Sequence, residues 1–323
     1  MSRGGGGGSP QLAPSAAALV SPAEAVRSSF RLPILCYHKI EPRHELGVTR
    51  ISPRRFARQV ERLAAAGWRT LTLAEVAACA RGERAVGPRE LAITFDDAYR
   101  GLRDHAFPVL EAHGFSAICF VITAYAGALN RWDVPYGGRR FAHLAWRDMR
   151  RWQGRGIEFA SHTATHPRLT WLDEREVARE LAESRRVLSA ALDCICTAVS
   201  YPFGAAGARE REIAAREGYG TGFTLARRWR GDPMAVPRTP VYLWAPPLPG
   251  VGLLAPIERL GAAAANRCAV GTSLLLHRTR DRAPAPDPSL RRSTSRSPGG
   301  AWGAARARGR RSAPASASEA ESD

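Results

Sequence analysis

Lysine is almost missing from this chain. Of its 47 basic residues only Lys39 is a lysine, so the formal charge of +17 rests on arginines set in a sequence heavy in alanine, glycine and proline. That pattern reads as compositional drift. Ten arginines lie beyond residue 277 against five acids, and the rest are scattered with no aromatic-interleaved basic motif. Scattered arginines still raise the local concentration of phosphates and other anions, but nucleic-acid binding is the lesser reading. Long apolar runs are absent as well. No stretch approaches the ~18 residues of a membrane helix, and Ala16 to Val20 is too short for the core of a secretory signal. The expectation is therefore no membrane span and a cytoplasmic protein. The six cysteines, at 36, 79, 119, 194, 196 and 268, are scattered through apolar runs, where a free thiol behaves as a small buried hydrophobe. Cys194 and Cys196 have the wrong spacing for a zinc knuckle or a redox pair, so no disulfide framework is read.

What remains is sufficient for a globular core. The 323 residues are 45% hydrophobic and 24% charged, within the ordinary range for a folded soluble chain. Residues 1–30, opening on Gly4 to Gly8, read as a disordered leader. Residues 281–323, rich in Arg, Ser, Pro and Ala, read as a disordered basic tail. Residues 246–280 keep hydrophobic residues without a clear period and receive no assignment. Between them, 31–245 alternates. Short, nearly continuous apolar runs at 33–37, 91–95, 117–122, 157–160, 197–201 and 220–224 read as buried strands, with a further strand-like stretch at 239–244. Helices lie between most of them. One starts at Ser52-Pro53, with Phe56, Val60 and Leu63 on its apolar face and Gly67 as its stop; another starts at Asp173, with Glu176 completing a capping box. Such alternation predicts an α/β fold on a parallel sheet, open or closed into a barrel.

Four polar clusters follow the ends of these strands: His38, Asp96-Asp97, His162 with His166, and Pro202-Phe203-Gly204. In parallel α/β folds the carboxyl ends of the strands share one face, where sites assemble. Two histidines four apart with a carboxylate can hold a divalent ion and leave a position open, which lowers the pKa of bound water and polarises a carbonyl. Neighbouring aspartates at a strand end point in different directions, so one can bind metal while the other takes a proton.

Thr94-Phe95-Asp96-Asp97-Ala98-Tyr99 and Ser161-His162-Thr163-Ala164-Thr165-His166-Pro167 resemble the first two motifs of the polysaccharide deacetylases, the NodB-homology domain of the fourth carbohydrate esterase family. Tyr201-Pro202-Phe203-Gly204 resembles the third, and the resemblance covers about residues 31–245. It implies a distorted (β/α) barrel of about seven strands and hydrolysis of an acetyl group on a glycan substrate. It further implies Asp97, His162 and His166 as ligands of a divalent metal, zinc first, and Asp96 as general base. Tyr201, Pro202 and Phe203 would serve substrate and oxyanion. Two departures stand out: Ser200 occupies the place of an arginine that usually orients the base, and no Asp-Trp pair follows. Cys36-Tyr37-His38-Lys39-Ile40 resembles instead the opening of the circularly permuted subgroup that includes poly-N-acetylglucosamine deacetylases, in which the first-strand histidine is the general acid. That assigns the acid to His38. Leu274-Leu275-Leu276-His277 resembles the family's last motif and keeps His277 as the competing acid.

Trp132, in a loop with Asn130, Asp133 and Tyr136, is a candidate for stacking on a sugar ring. His105 and His113 read as helix-face residues, and His143 has no partner in sequence. Two other readings stay open: a catalytically weak carbohydrate-binding module on the same fold, suggested by the arginine missing at 200, and the nucleic-acid-associated protein suggested by charge.

Overall fold

The computed structural model describes residues 31–45, 48–133, 138–226, 228–243 and 245. The leader, the stretches from 246 onward, Tyr136 and His277 lie outside the described residues.

Strands β1 (Ile34–Tyr37), β5 (Glu90–Phe95), β6 (Ala117–Val121), β7 (Ile157–Ser161), β8 (Ala198–Ser200) and β9 (Thr221–Thr224) run parallel and side by side. The sheet ends at β10 (Val236–Pro237), which pairs with β9, and at β11 (Thr239–Pro240), which pairs with β1. These two edges are one five-residue segment interrupted at Arg238. A seventh strand, split in two, thus brings the sheet round into a nearly closed, distorted (β/α) barrel. The expected strand at 239–244 starts earlier and breaks, because Arg238 turns its side chain inward, fully buried, to meet a buried carboxylate. Short outlying strands β2 (Lys39–Ile40), β3 (Arg50–Ile51) and β4 (Arg69–Thr70) complete the set.

Ile34, Ala92, Ile118, Phe120, Ala160, Ala198, Phe223 and Val236 form one buried cluster inside this ring, together with Leu71, Val76, Cys79 and Ala80. The last three belong to helix α2 (Leu73–Arg81), which follows β4. Since β4 pairs with the first residues of β5, α2 plugs the amino end of the barrel and leaves the carboxyl end open. Thr72 and Glu75 form a reciprocal capping box, and Glu158 of β7 accepts the Leu73 amide at 2.6 Å. The Ala-rich sequence of α2 has no clear apolar face, so periodicity missed it. Helix α1 (Pro53–Ala65) occupies its expected place, but Ser52 caps it without a side-chain bond: the Ser52 carbonyl accepts from Arg55 and Phe56, both at 3.0 Å. Asp173 and Glu176 form the expected capping box on the helix Glu174–Leu192. Gly222 is required by close approach, since a Cβ there would sit 2.4 Å from the Met234 carbonyl and 2.6 Å from the Tyr201 hydroxyl.

Beside the plugged end, Glu90 binds Arg84 through both oxygens (2.6 and 2.9 Å), accepts the Gly87 amide at 2.8 Å and also meets Arg69. The Arg84 guanidinium, helped by Gly87 and Arg69 against the opposing effect of burial, brings the Glu90 carboxyl down to about 2. A carboxyl lowered by folding stabilises the protein above its unfolded pKa and loses that contribution as pH falls through the folded value. Glu90→Gln is therefore expected to cost on the order of 2 kcal/mol at neutral pH, after discounting the exposed arginines. The deficit should shrink as pH drops from the ordinary carboxylate range toward about 2. Urea midpoints at neutral and acid pH check it; a deficit that does not change with pH would refute the assignment.

Candidate active site

The open end gathers the strand-end clusters. Two Nε2 atoms face one carboxylate oxygen: His162 lies 3.4 Å and His166 3.5 Å from Asp97 Oδ1. Both stand off by more than a good hydrogen bond, and Asp97 Oδ1 is buried without a hydrogen-bond partner among the described residues. Donors ~2.1 Å from a common ion at tetrahedral angles would lie ~3.4 Å from one another, so this trio fits a divalent cation. The chemistry of the rings agrees. His162 Nδ1 lies 2.7 Å from the Ser200 carbonyl, which can only accept, so Nδ1 carries the proton and Nε2 presents its lone pair. Burial, with a smaller contribution from neighbouring His162, pushes His166 down to about 3, the neutral form a ligand needs. For His162, burial acts in the same sense but is outweighed by Asp96 and Asp97, so its affinity for positive charge rises. Burial pushes Asp97 up, yet the three surrounding histidines bring it to about 2.

Strained backbone holds this geometry. Asp97 (φ 68°), Ala98 (φ 53°), Thr163 (φ 67°), His166 (φ 64°) and Phe203 (φ 61°) all adopt the left-handed region, which non-glycine residues occupy at a cost of order 1–3 kcal/mol each. Neighbouring bonds maintain the strain between the two histidines. His166 N donates to Thr163 Oγ1 (3.1 Å), and Glu180 accepts from the amide and hydroxyl of Thr165 at 2.8 and 2.6 Å. Ser161 and Ser184 share a further hydroxyl bond at 2.7 Å. Glu180 and Ser184 both stand on the helix Glu174–Leu192, which therefore clamps the ligand loop.

Asp96 is held differently. Arg238 binds it through two parallel bonds, Nη1 to Oδ1 at 2.7 Å and Nη2 to Oδ2 at 2.8 Å. The guanidinium also donates to Ser200 Oγ at 2.7 Å and Thr94 Oγ1 at 3.2 Å, and it packs against both the Phe120 and Phe223 rings, 5.3 and 5.9 Å from their centroids. Burial alone would push the Asp96 carboxyl up; Arg238, His162 and His38 hold it far below the usual range. The arginine expected at position 200 is thus supplied by position 238, from the strand that closes the barrel. The small Ser200 leaves it room. The one available signal was a lone arginine between two prolines in Val236-Pro237-Arg238-Thr239-Pro240.

His38 is half-buried, its Nδ1 has no partner among the described residues, and one of its ring nitrogens lies within 4.8 Å of both Cys36 Sγ and an Asp96 oxygen. Burial lowers its pKa despite the nearby carboxylates. Phe203 packs edge-on against His166, centroids 4.9 Å apart. The amides of Gly204 and Ala205 are spent on Tyr201 and Pro202 carbonyls, at 2.8 and 3.2 Å, so an oxyanion role narrows to the Phe203 amide. Pro202 is buried in this turn, and the Tyr201 ring is fully buried against Gly222. The charged groups bearing on Tyr201 are Asp232, Arg211 and Glu210, so its side chain is a support of the turn.

Trp132 lies directly on His166, ring centroids 3.9 Å apart. Behind it stands His143, which showed no partner in sequence. Its Nδ1 is 2.5 Å from the Asp97 carbonyl, its Nε2 3.2 Å from Trp132 Nε1, and burial pulls its pKa to about 4. Asn130 clamps this loop through the Phe141 amide, 2.8 Å from its side-chain oxygen. The lone lysine belongs here too: Lys39 Nζ sits 5.0 and 5.1 Å from the Tyr99 and Phe141 ring centroids and 2.8 Å from Glu45.

With this geometry established, four likenesses bear on it. The polysaccharide deacetylase family model matches residues 83–222. A curated protein of Bacillus subtilis (strain 168), the putative polysaccharide deacetylase YxkH, is 28% identical over 194 residues. The match takes in 60% of this chain and spans 64% of that relative's length. Among solved structures, IcaB from Ammonifex degensii superposes with a TM-score of 0.59 at 25% identity, over 73% of this chain and 97% of that one. The Streptococcus pyogenes deacetylase PplD, solved in complex with acetate, shares the fold at a TM-score of 0.58 and 23% identity, over 67% and 94% of the two chains.

Proposed function

We propose that this chain removes acetyl groups hydrolytically from an N-acetylated polysaccharide or oligosaccharide, as its likeness to the polysaccharide deacetylases over residues 83–222 and the geometry of the site support. The observation that supports this best is the pairing of an unpartnered Asp97 Oδ1, faced by two imidazoles, with a second carboxylate fixed alongside by Arg238. Asp97, His162 and His166 would hold the divalent ion; zinc is the first candidate for two imidazoles and a carboxylate. Bound there, the ion supplies Lewis acidity toward the acetyl carbonyl and lowers the pKa of water.

The chain's own residues then divide the proton work. Asp96 accepts a proton from the attacking water, whose oxygen bonds to the acetyl carbon; the Phe203 amide faces the developing oxyanion. As the C–N bond breaks, the leaving nitrogen takes a proton from His38 and acetate departs. Arg238, His162 and His38 hold the Asp96 carboxyl below the usual range, which favours the ionised form that can accept a proton. His38, with its depressed pKa, is a strong donor once charged. The sugar lies against Trp132. Arg238 removes the reason for the non-catalytic reading, since the arginine missing at 200 has its counterpart at 238.

Acetate release from a panel of acetylated glycans, chitooligosaccharides among them, with metal reconstitution tests the reading. Asp96→Asn keeps the size of the side chain but cannot take the proton, so metal content should persist while turnover falls by ~10²-fold or more. Turnover that survives while metal is lost would exchange the roles of the two aspartates. His38→Ala is expected to lose most turnover with metal retained. The reverse outcome, with His277→Ala inactive and His38→Ala near normal, would make His277 the acid.

A further inference from the structure

His143 is buried and makes two bonds that constrain one another. The Asp97 carbonyl, 2.5 Å from Nδ1, can only accept, and the Trp132 indole N–H, 3.2 Å from Nε2, can only donate. Both are satisfied by a single species, the neutral ring with its proton on Nδ1. The ring is fixed on either side, stacked on Tyr99 with centroids 4.8 Å apart and planes 18° from parallel, with Tyr125 at 5.8 Å. Its segment is held by the main chain as well: His143 N donates to Ala128 O, Leu144 N to Ala98 O and Arg100 N to Ala142 O, each at 2.8 Å. One end of this imidazole therefore supports the left-handed Asp97, and the other anchors the indole that covers His166.

We propose that His143 is a positioning residue that fixes Trp132 against His166 as an apolar wall of the substrate cleft. The proposal rests on the deacetylase reading for the identity of the substrate, and it adds a selectivity. The indole N–H is consumed by His143, so Trp132 has no donor left for a sugar hydroxyl and offers only its π face and carbon edge. Such a surface selects the C–H face of a pyranose ring or the methyl of its acetyl group, while hydroxyl recognition must come from elsewhere.

Two substitutions separate the two bonds. His143→Asn can keep the donor toward the Asp97 carbonyl but has nothing to accept from the indole; His143→Gln can keep an acceptor toward the indole but loses the donor. In the metal-reconstituted full chain, His143→Asn should retain metal and raise KM for a chitooligosaccharide about 10-fold, with the loss falling on KM more than on kcat. Trp132→Phe should raise KM similarly, and the double variant should add little more, because both act on one wall. His143→Gln should keep KM nearer normal and bind metal more weakly. Additive KM effects, or a loss of metal and kcat in His143→Asn at unchanged KM, would overturn the proposal. A readout independent of activity separates it from the deacetylase reading: the fluorescence of Trp132, taken as the difference between otherwise identical proteins with and without Trp132→Phe. In His143→Asn this emission should shift red and become more open to acrylamide. An unchanged difference spectrum refutes the role of His143 even if acetate is released, whereas the shift without any acetate release would leave the wall standing and refute the substrate.

Discussion

Alanine at His162 or at His166 is expected to strip the protein of stoichiometric divalent ion and reduce acetate release to that of the metal-free protein. In the proposed site each ring would be one of three donors, with Asp97 Oδ1 the third, and a three-donor cage that loses a member loses most of its affinity. The two variants should differ in the metal-free state. His162 Nδ1 satisfies the buried Ser200 carbonyl, and removing that donor leaves an unpaired acceptor at a cost of about 1–3 kcal/mol. His166 Nδ1 has no partner among the described residues to abandon; its alanine variant gives up ring contacts with Trp132 and Phe203 instead. Metal analysis after dialysis, with unfolding curves on the metal-free proteins, reads both effects. Full metal occupancy in His162→Ala would remove the ligand assignment.

The clustering of Asp97, His162 and His166 was legible in the sequence because these residues come as motifs, two histidines four apart and two adjacent aspartates, each at the end of an apolar run. The barrel was legible for a related reason: strands buried on both faces are continuous apolar runs, and six of them alternate with helical stretches. Arg238 and His143 were not legible, since each is a single residue whose partner lies far away in the chain, at Asp96 and at Asp97 and Trp132. Their local patterns hold a faint signal. Phe141 and His143 alternate as residues on one face of an extended segment do, and a lone arginine stands between two prolines at 236–240. Neither says what the side chain meets, because contacts between distant segments are decided by barrel closure. The chain's one lysine is the clearest such signal: in a sequence that otherwise uses arginine throughout, Lys39 stands between two rings and Glu45.

Arg238→Met is expected to be among the most damaging single substitutions in the protein. It would leave Asp96, 3% exposed, as a buried carboxylate without its bidentate partner, and breaking such a pair costs about 3–5 kcal/mol. Arg238→Met combined with Asp96→Asn should be less destabilised than Arg238→Met alone, since removing both charges lifts the desolvation penalty that removing one exposes. The pH dependence has a definite sign. In the parent protein the folded Asp96 pKa is depressed, so its contribution to stability is present above the unfolded value and is lost only in strong acid. In Arg238→Met burial is no longer opposed by the guanidinium, and the folded pKa moves up. A group raised by folding favours the folded state below its unfolded pKa, so the deficit of the variant should shrink as pH falls and Asp96 takes up a proton. The same rise should carry the acid limb of the turnover profile upward, because a protonated Asp96 cannot receive a proton from water. Denaturant midpoints for the two singles and the double across pH, with acetate release on the soluble variants, decide the matter. A double variant as unstable as the sum of the singles, or an acid limb that does not move, would show that Arg238 fills space against Phe120 and Phe223 and does not hold Asp96.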